Sequence, residues 1–149
     1  MTKMKKLLII REPETVTECD AMFDLRWKVL RKPWNQPKGS EKDDLEDITT
    51  HIIALREKKV VGTARLQKNS LEVGQIRYMA VDPEYQRTGI GRQIILTLHQ
   101  RAKQLQVQKI VLDAREPSIE FYTKLGYKIT KKSYVLFGEI QHWQMEYIL

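Results

Sequence analysis

Apolar positions along the chain alternate between two spacings, and the order of those spacings predicts the elements. A short run over Lys6–Arg11 predicts a first strand, stopped by Pro13. Thr15 or Thr17 then caps a helix whose apolar positions Val16, Cys19, Phe23, Trp27 and Leu30 recur at helical spacing. Pro33 and Pro37 break the chain into a loop over 32–40, after which Ser40 is placed to cap a short acidic turn. His51–Arg56 and Val60–Leu66 are β-rich runs that meet at Glu57-Lys58-Lys59, the pattern of a hairpin. Gln75–Val81 predicts a further strand, ended by Asp82-Pro83.

The second half of the chain repeats the alternation. Gly89–Gln106 carries the strongest helical pattern, with Ile94, Leu98, Ala102 and Leu105 on one stripe and Ile95 beside it. Lys109–Ala114 is nearly continuous in apolar character, which predicts a strand buried on both faces. Pro117 suits the first turn of a helix running to Leu125, with Gly126 after its end. Tyr127–Phe137 and Gln141–Ile148 finish as two strands around a turn at Gly138. The order β-α-α-β-β-β-α-β-α-β-β predicts a mixed α/β (α+β) sheet with helices packed on it, in a single domain over 1–149. One helix joins Gln75–Val81 to Lys109–Ala114, so those strands are expected to be parallel with a right-handed connection.

Composition narrows the class. A length of 149 residues suits one core, and 42% hydrophobic with 30% charged residues argues against a disordered chain or a membrane protein. The single Cys19 excludes an internal disulfide and a cysteine-built zinc site and fits a reducing, cytoplasmic location; no metal site is expected. Leu7–Ile10 is too short for a signal-peptide core. The 26 Lys+Arg exceed the 19 Asp+Glu, for a net charge of +7. These bases are scattered, without the clustering and interleaved aromatics of a nucleic-acid binder. Glu41, Asp43, Asp44, Glu46 and Asp47 concentrate negative charge with only Lys42 among them. Such a run suits attraction of a cationic molecule.

Between the strand ending at Val81 and the long helix lies Gln86-Arg87-Thr88-Gly89-Ile90-Gly91-Arg92. Alternating glycines ahead of a helix let backbone N–H groups turn outward, and the positive helix end completes an anion site. Arg87 and Arg92 add charge at its edges. No Lys-Ser/Thr follows Gly91, which excludes a Walker A loop, and Ile94 occupies the place of a third dinucleotide-fingerprint glycine.

The segment Gln-x-x-Gly-x-Gly, after a strand ending Met79-Ala80-Val81-Asp82-Pro83, resembles the acetyl-coenzyme A signature of GNAT-type N-acetyltransferases. Phe121-Tyr122-Thr123-Lys124-Leu125-Gly126-Tyr127 resembles that family's second block, and the element order agrees over the whole chain. Leu25-Arg26-x-x-Val29-Leu30-Arg31, Gly39-Ser40-Glu41, Ala64-Arg65-Leu66-Gln67 and Ala114-Arg115-Glu116-Pro117 are similar to a bacterial subgroup with undefined acceptors. The resemblance implies a mostly antiparallel sheet of six or seven strands, with a parallel pair splayed around the cofactor. It implies acetyl-coenzyme A as co-substrate and direct transfer to a primary amine, small-molecule or peptide, in a ternary complex. Homodimers are common in the family; neither nucleic acid nor membrane is implied as a partner.

By that resemblance the pantetheine arm lies along Met79, Ala80 and Val81, and the pyrophosphate rests on Gln86, Arg87, Thr88, Gly89, Ile90, Gly91 and Arg92. Arg115, Ser118, Phe121 and Tyr122 complete the cofactor side, with the Tyr122 phenol near the thioester sulfur as general acid. Where some members carry a glutamate, this chain has Gln75, with Glu72 nearby in the preceding loop, so the base is open among His51, His142 and water. Arg26, Trp34, Asp43, Asp44 and Arg77 join these residues as candidates on the acceptor side. A non-catalytic acyl-coenzyme A sensor is the alternative: it needs the Gly89–Gly91 loop but not Tyr122.

Overall fold

The computed structural model describes residues 7–149. Its strands are β1 Leu8–Arg11, β2 Thr50–Arg56, β3 Lys59–Lys68, β4 Val73–Val81, β5 Lys109–Arg115, β6 Lys128–Leu136 and β7 Ile140–Ile148. Its helices are α1 Val16–Leu30, α2 Ile90–Gln104 and α3 Ile119–Lys124. Lys6, where the sequence pattern begins the first strand, lies outside the described residues. The strands form one mixed sheet in the order β1-β2-β3-β4-β5-β7-β6. β1 runs antiparallel to β2, β7 is antiparallel to both β5 and β6, and β4 with β5 forms the expected parallel pair. Contacts divide the chain into two compact units: residues up to Arg65 with Tyr78–Thr97, and Leu66–Arg77 with Leu98–Leu149.

In the first unit, Thr15 caps α1 as predicted, its hydroxyl accepting the Glu18 N–H at 3.0 Å. Glu18 also takes a two-pronged bond from Arg11, at 2.9 and 2.8 Å, which ties β1 to α1. The buried face of α1 is turned from the predicted stripe, of which Leu30 is buried and Cys19, Phe23 and Trp27 are half-buried. Val16 is 78% exposed, and the inward positions are Met22, Leu25, Arg26 and Leu30, with Met22 and Leu25 packing on Ile53, Leu55 and Val60. Apolar spacing did not anticipate this rotation, because the buried face includes an arginine. The acidic stretch forms only a 3-10 turn over Glu46–Ile48, and Ser40 caps nothing there; its hydroxyl donates to Pro37 O. Glu57 and Lys58 both have positive φ, 49° and 68°, as a two-residue hairpin turn between β2 and β3 requires. The start of α2 sits close on β3: a Cβ at Gly62 would come within 2.8 Å of Ile94 Cδ1 and 3.0 Å of Ile90 Cγ2.

In the second unit, β5 corrects the expectation of burial on both faces. Ile110, Leu112 and Ala114 are buried, while Lys109, Val111, Asp113 and Arg115 are half-buried, so the strand has one buried and one half-buried face. Asp113 in the apolar run was the signal for this alternation. The parallel register of β4 with β5 pairs Val73–Gln75 with Lys109–Val111 and ends there. The predicted helix from Pro117 divides into a 3-10 turn, Glu116–Ser118, and the six-residue α3. His99 is buried against this sheet, with Nε2 2.7 Å from the Tyr127 hydroxyl and its ring stacked on Tyr147.

Candidate active site

The predicted anion loop has the backbone that its glycines imply. Arg87 and Gly89 both adopt positive φ, 62° and 85°, and the first bond back along α2 runs from Gln93 N–H to Gly89 O at 3.1 Å. The N–H groups preceding Gln93 therefore lack helical acceptors and mark the positive end of α2. Residues 86–89 and Arg92 are exposed, Gly91 is half-buried and Ile90 is buried as the anchor of the turn. A Cβ placed on Gly89 would meet nothing within 4 Å, so the loop opens outward; the glycine is required by its φ, not by crowding. Met79 and Val81 are half-buried and Ala80 is buried.

Immediately before Met79, Tyr78 holds a φ of 56°, an outlier for an aromatic side chain. Three guanidinium groups enclose its ring, with the Arg26, Arg65 and Arg31 carbons 4.3, 4.8 and 5.7 Å from the centroid. Its hydroxyl donates to Asp43 Oδ2 at 3.3 Å. The side chains of Arg26 and Arg65 are 0% exposed, and the acidic run neutralises them. Arg65 grips Asp43 with two parallel bonds of 2.7 and 2.8 Å and lies 2.9 Å from Glu46 Oε1. Arg26 donates to Glu46 Oε2 at 2.8 Å and to Glu41 O at 3.1 Å. Burial works to raise the Glu46 pKa, but the charge of Arg26 and bonds from Asp43 N–H, Arg26 and Arg65 hold it below the ordinary value. Burial likewise works against the Arg65 charge, and its bonds to Asp43 and Glu46 more than offset that, so its pKa is raised.

His51 belongs to the same cluster. Its Nδ1 faces Arg26 Nη2 at 3.4 Å and so accepts, and its Nε2–H donates to Glu46 O at 2.8 Å. Both ring nitrogens are engaged, and burial lowers the pKa, which favours the neutral ring. The structure thus gathers Arg26, Asp43 and His51, each a candidate for the acceptor side, into a charge-balanced cluster with Arg65 and Glu46. Asp44 is exposed, and Trp34 is half-buried in a 3-10 turn over Lys32–Trp34. The sequence reading singled out neither Tyr78 nor the partnership of Arg65 with Glu46. Signals were there: a lone arginine in the apolar run of β3, and an acidic run unbalanced by local bases.

In the second unit, Tyr122 is buried, edge-on to Phe121 at 4.9 Å and to Tyr127 at 5.7 Å. Burial pushes its phenol pKa well up, the nearby Arg115 charge working against that shift, so the proton stays on. Ser118 stands at the start of α3 without capping it through its side chain. His142 is buried, stacked on Tyr134 at 4.5 Å, with Nδ1 3.0 Å from Ile140 O; its register partner on β5 is Arg115. Arg77 is half-buried near the middle of β4. Gln75 accepts from Asn69 Nδ2 at 2.9 Å and its own Nε2 lies 3.4 Å from Asp113 Oδ2. Asp113, one strand over on β5, is the carboxylate that Gln75 faces.

The family model for the GNAT acetyltransferase family matches residues 19–127. The uncharacterized N-acetyltransferase YjcF of Bacillus subtilis (strain 168) is 27% identical over 140 residues, covering 94% of this chain and 97% of that one. Among solved structures, an acyl-CoA N-acyltransferase from Pseudomonas aeruginosa superposes with a TM-score of 0.80 at 21% identity, covering 95% of this chain and 99% of that one. A GNAT family acetyltransferase from Elizabethkingia anophelis, with acetyl-CoA bound, gives 0.76 at 18% identity, covering 95% and 98%. Both structures share the fold. With the family model spanning most of its length, the chain belongs to the GNAT family of acetyltransferases.

Proposed function

We propose that this protein transfers the acetyl group of acetyl-coenzyme A directly to a primary amine, of a small molecule or a peptide. The observation that carries the reading is the open loop before α2, with positive φ at Arg87 and Gly89 and unbonded N–H groups at the helix start. Backbone donors and two arginines suit a pyrophosphate there. Residues Met79–Val81 supply the strand edge for the pantetheine arm, and a backbone N–H of that stretch polarises the thioester carbonyl.

The acceptor, bound as an ammonium, first loses a proton to water, and the neutral amine then attacks that carbonyl, forming the C–N bond. The C–S bond then breaks with its electron pair passing to sulfur, and the nitrogen loses a proton to water. Tyr122 donates a hydrogen bond to the departing sulfur. A buried phenol is a weaker acid than a thiol of ordinary pKa about 8.5, so its contribution is a hydrogen bond to developing charge rather than complete proton delivery. No covalent acetyl-enzyme is required.

The test is thiol release from acetyl-coenzyme A over a panel of primary amines, for wild type, Tyr122→Phe and Gly89→Glu. Amine-dependent release that Tyr122→Phe slows, with cofactor binding lost only in Gly89→Glu, supports the reading. Tight cofactor binding with no acetylated amine supports a sensor of acyl-coenzyme A instead.

A further inference from the structure

The half-buried face of β5 presents one carboxylate whose contacts are all to neutral groups. Asp113, half-buried on β5, accepts from Ser133 Oγ at 2.8 Å and faces Gln75 Nε2 at 3.4 Å. Among the described residues no ion pair reaches it. The neighbouring charges on its strand face are engaged elsewhere: Lys109 with Glu146 at 3.4 Å, and Arg115 acting on Tyr122. A carboxylate offers about four lone-pair sites, so roughly two remain for a ligand.

The arrangement around Asp113 is built. β6 is an exposed strand over most of its length, yet Ser133 is half-buried. It lies where the β6–β7 register slips, between Lys132 and Val135. That irregularity turns its hydroxyl inward, so that it reaches Asp113 from the far side of β7. On the other side Gln75 is steadied by Asn69, itself bonded from Gln67 Nε2 at 2.8 Å. Asp113 is thus held by a row of neutral donors and amides, with the long Gln75 contact the one that yields most easily. It sits two residues beyond Val111, where the parallel ladder to β4 ends.

We propose that Asp113 is the anchor for the ammonium form of the acceptor, which makes the substrate class a cationic primary amine. The inference rests on the acetyl-transfer reading and deepens it. Within the acidic run over 41–47, Asp43 and Glu46 are already taken up in neutralising Arg65 and Arg26. In a half-buried setting a charge-assisted bond from ammonium to carboxylate is stronger than at a bare surface.

The experiment is an NMR titration of the full chain with n-butylammonium chloride, against n-butanol as the neutral counterpart. The proposal expects saturable shifts at the Asp113 backbone amide and the Gln75 side-chain amide with n-butylammonium only. Asp113→Asn, which keeps shape and removes charge, weakens that binding about tenfold or more. Ser133→Ala, which removes a contact and keeps the charge, leaves it within about threefold. Equal shifts with n-butanol, no saturable shift in wild type, or unaltered binding in Asp113→Asn overturns the proposal. The wild-type comparison stands even where a variant fails to fold. Failure of the acetyl-transfer reading has a separate signature: ammonium binding at Asp113 with no thiol released from acetyl-coenzyme A.

Discussion

Asp43→Asn is the sharpest perturbation of the buried cluster. Two guanidinium groups with fully buried side chains, Arg26 and Arg65, are balanced by Asp43 and Glu46. The substitution keeps the shape of residue 43 but leaves one positive charge uncompensated. Removing one partner of a buried pair costs about 3–5 kcal/mol. The Asp43 side chain is 25% exposed, so water recovers part of this and the expected loss is about 2–3 kcal/mol. For a chain of this length that corresponds to a fall in Tm of about 5–10 °C. The assay is thermal unfolding of wild type, Asp43→Asn, Arg65→Met and the double variant. Because the double variant keeps the neutral pair of Arg26 with Glu46, it should recover part of the loss, with a coupling of at least about 1.5 kcal/mol. A Tm shift under about 2 °C for Asp43→Asn, or effects adding within about 0.5 kcal/mol, would refute the account of a charge-balanced interior.

Tyr122→Phe should lower kcat by about 100-fold or more while leaving acetyl-coenzyme A binding nearly unchanged, as loss of a donor to developing charge does; steady-state kinetics with calorimetric titration checks both. Gly89→Ala forces a side chain into a φ of 85° and should weaken acetyl-coenzyme A binding at least about tenfold, with Tm falling little. Glu18 is held at about 2 by its bonds from Arg11 and from the backbone of Glu14 and Thr15, against an ordinary 4.5. Its stabilisation is present above the ordinary value and lost as pH falls toward 2, so Glu18→Gln should flatten stability against pH in that window. Burial depresses the His51 pKa below 6.5, so its neutral form stabilises above that value and stability declines as pH falls through and below it. His51→Gln should remove that slope in a pH series of melts.

The elements themselves were legible because their periods are strong. The Glu57-Lys58-Lys59 hairpin, the strand-loop-helix around Gly89 and the parallel β4–β5 pair all follow from spacing and turn chemistry. Two features were not legible, for a shared reason: each depends on partners distant along the chain. The inward turn of α1 places Arg26 in the interior because a carboxylate 20 residues away, Glu46, meets it, and no helical period encodes that. The acidic run looked like an external field for the same cause; Asp43 and Glu46 within it are paired from α1 and β3. Asp113 was hidden by the apolar run around it, which suggested a strand covered on both faces. The alternation seen on β5 exposes it, and the bulge that brings Ser133 to it has no signature in β6 alone.

The central claim is acetyl transfer without an enzyme-bound intermediate. Mass spectrometry of both protein and amine, after mixing acetyl-coenzyme A with the full chain and a primary amine, tests it most directly. The account predicts an amine carrying one acetyl group, free thiol in equal amount and a protein of unchanged mass. A protein that itself carries the acetyl group before the amine is added, or an amine that stays unmodified, would contradict it.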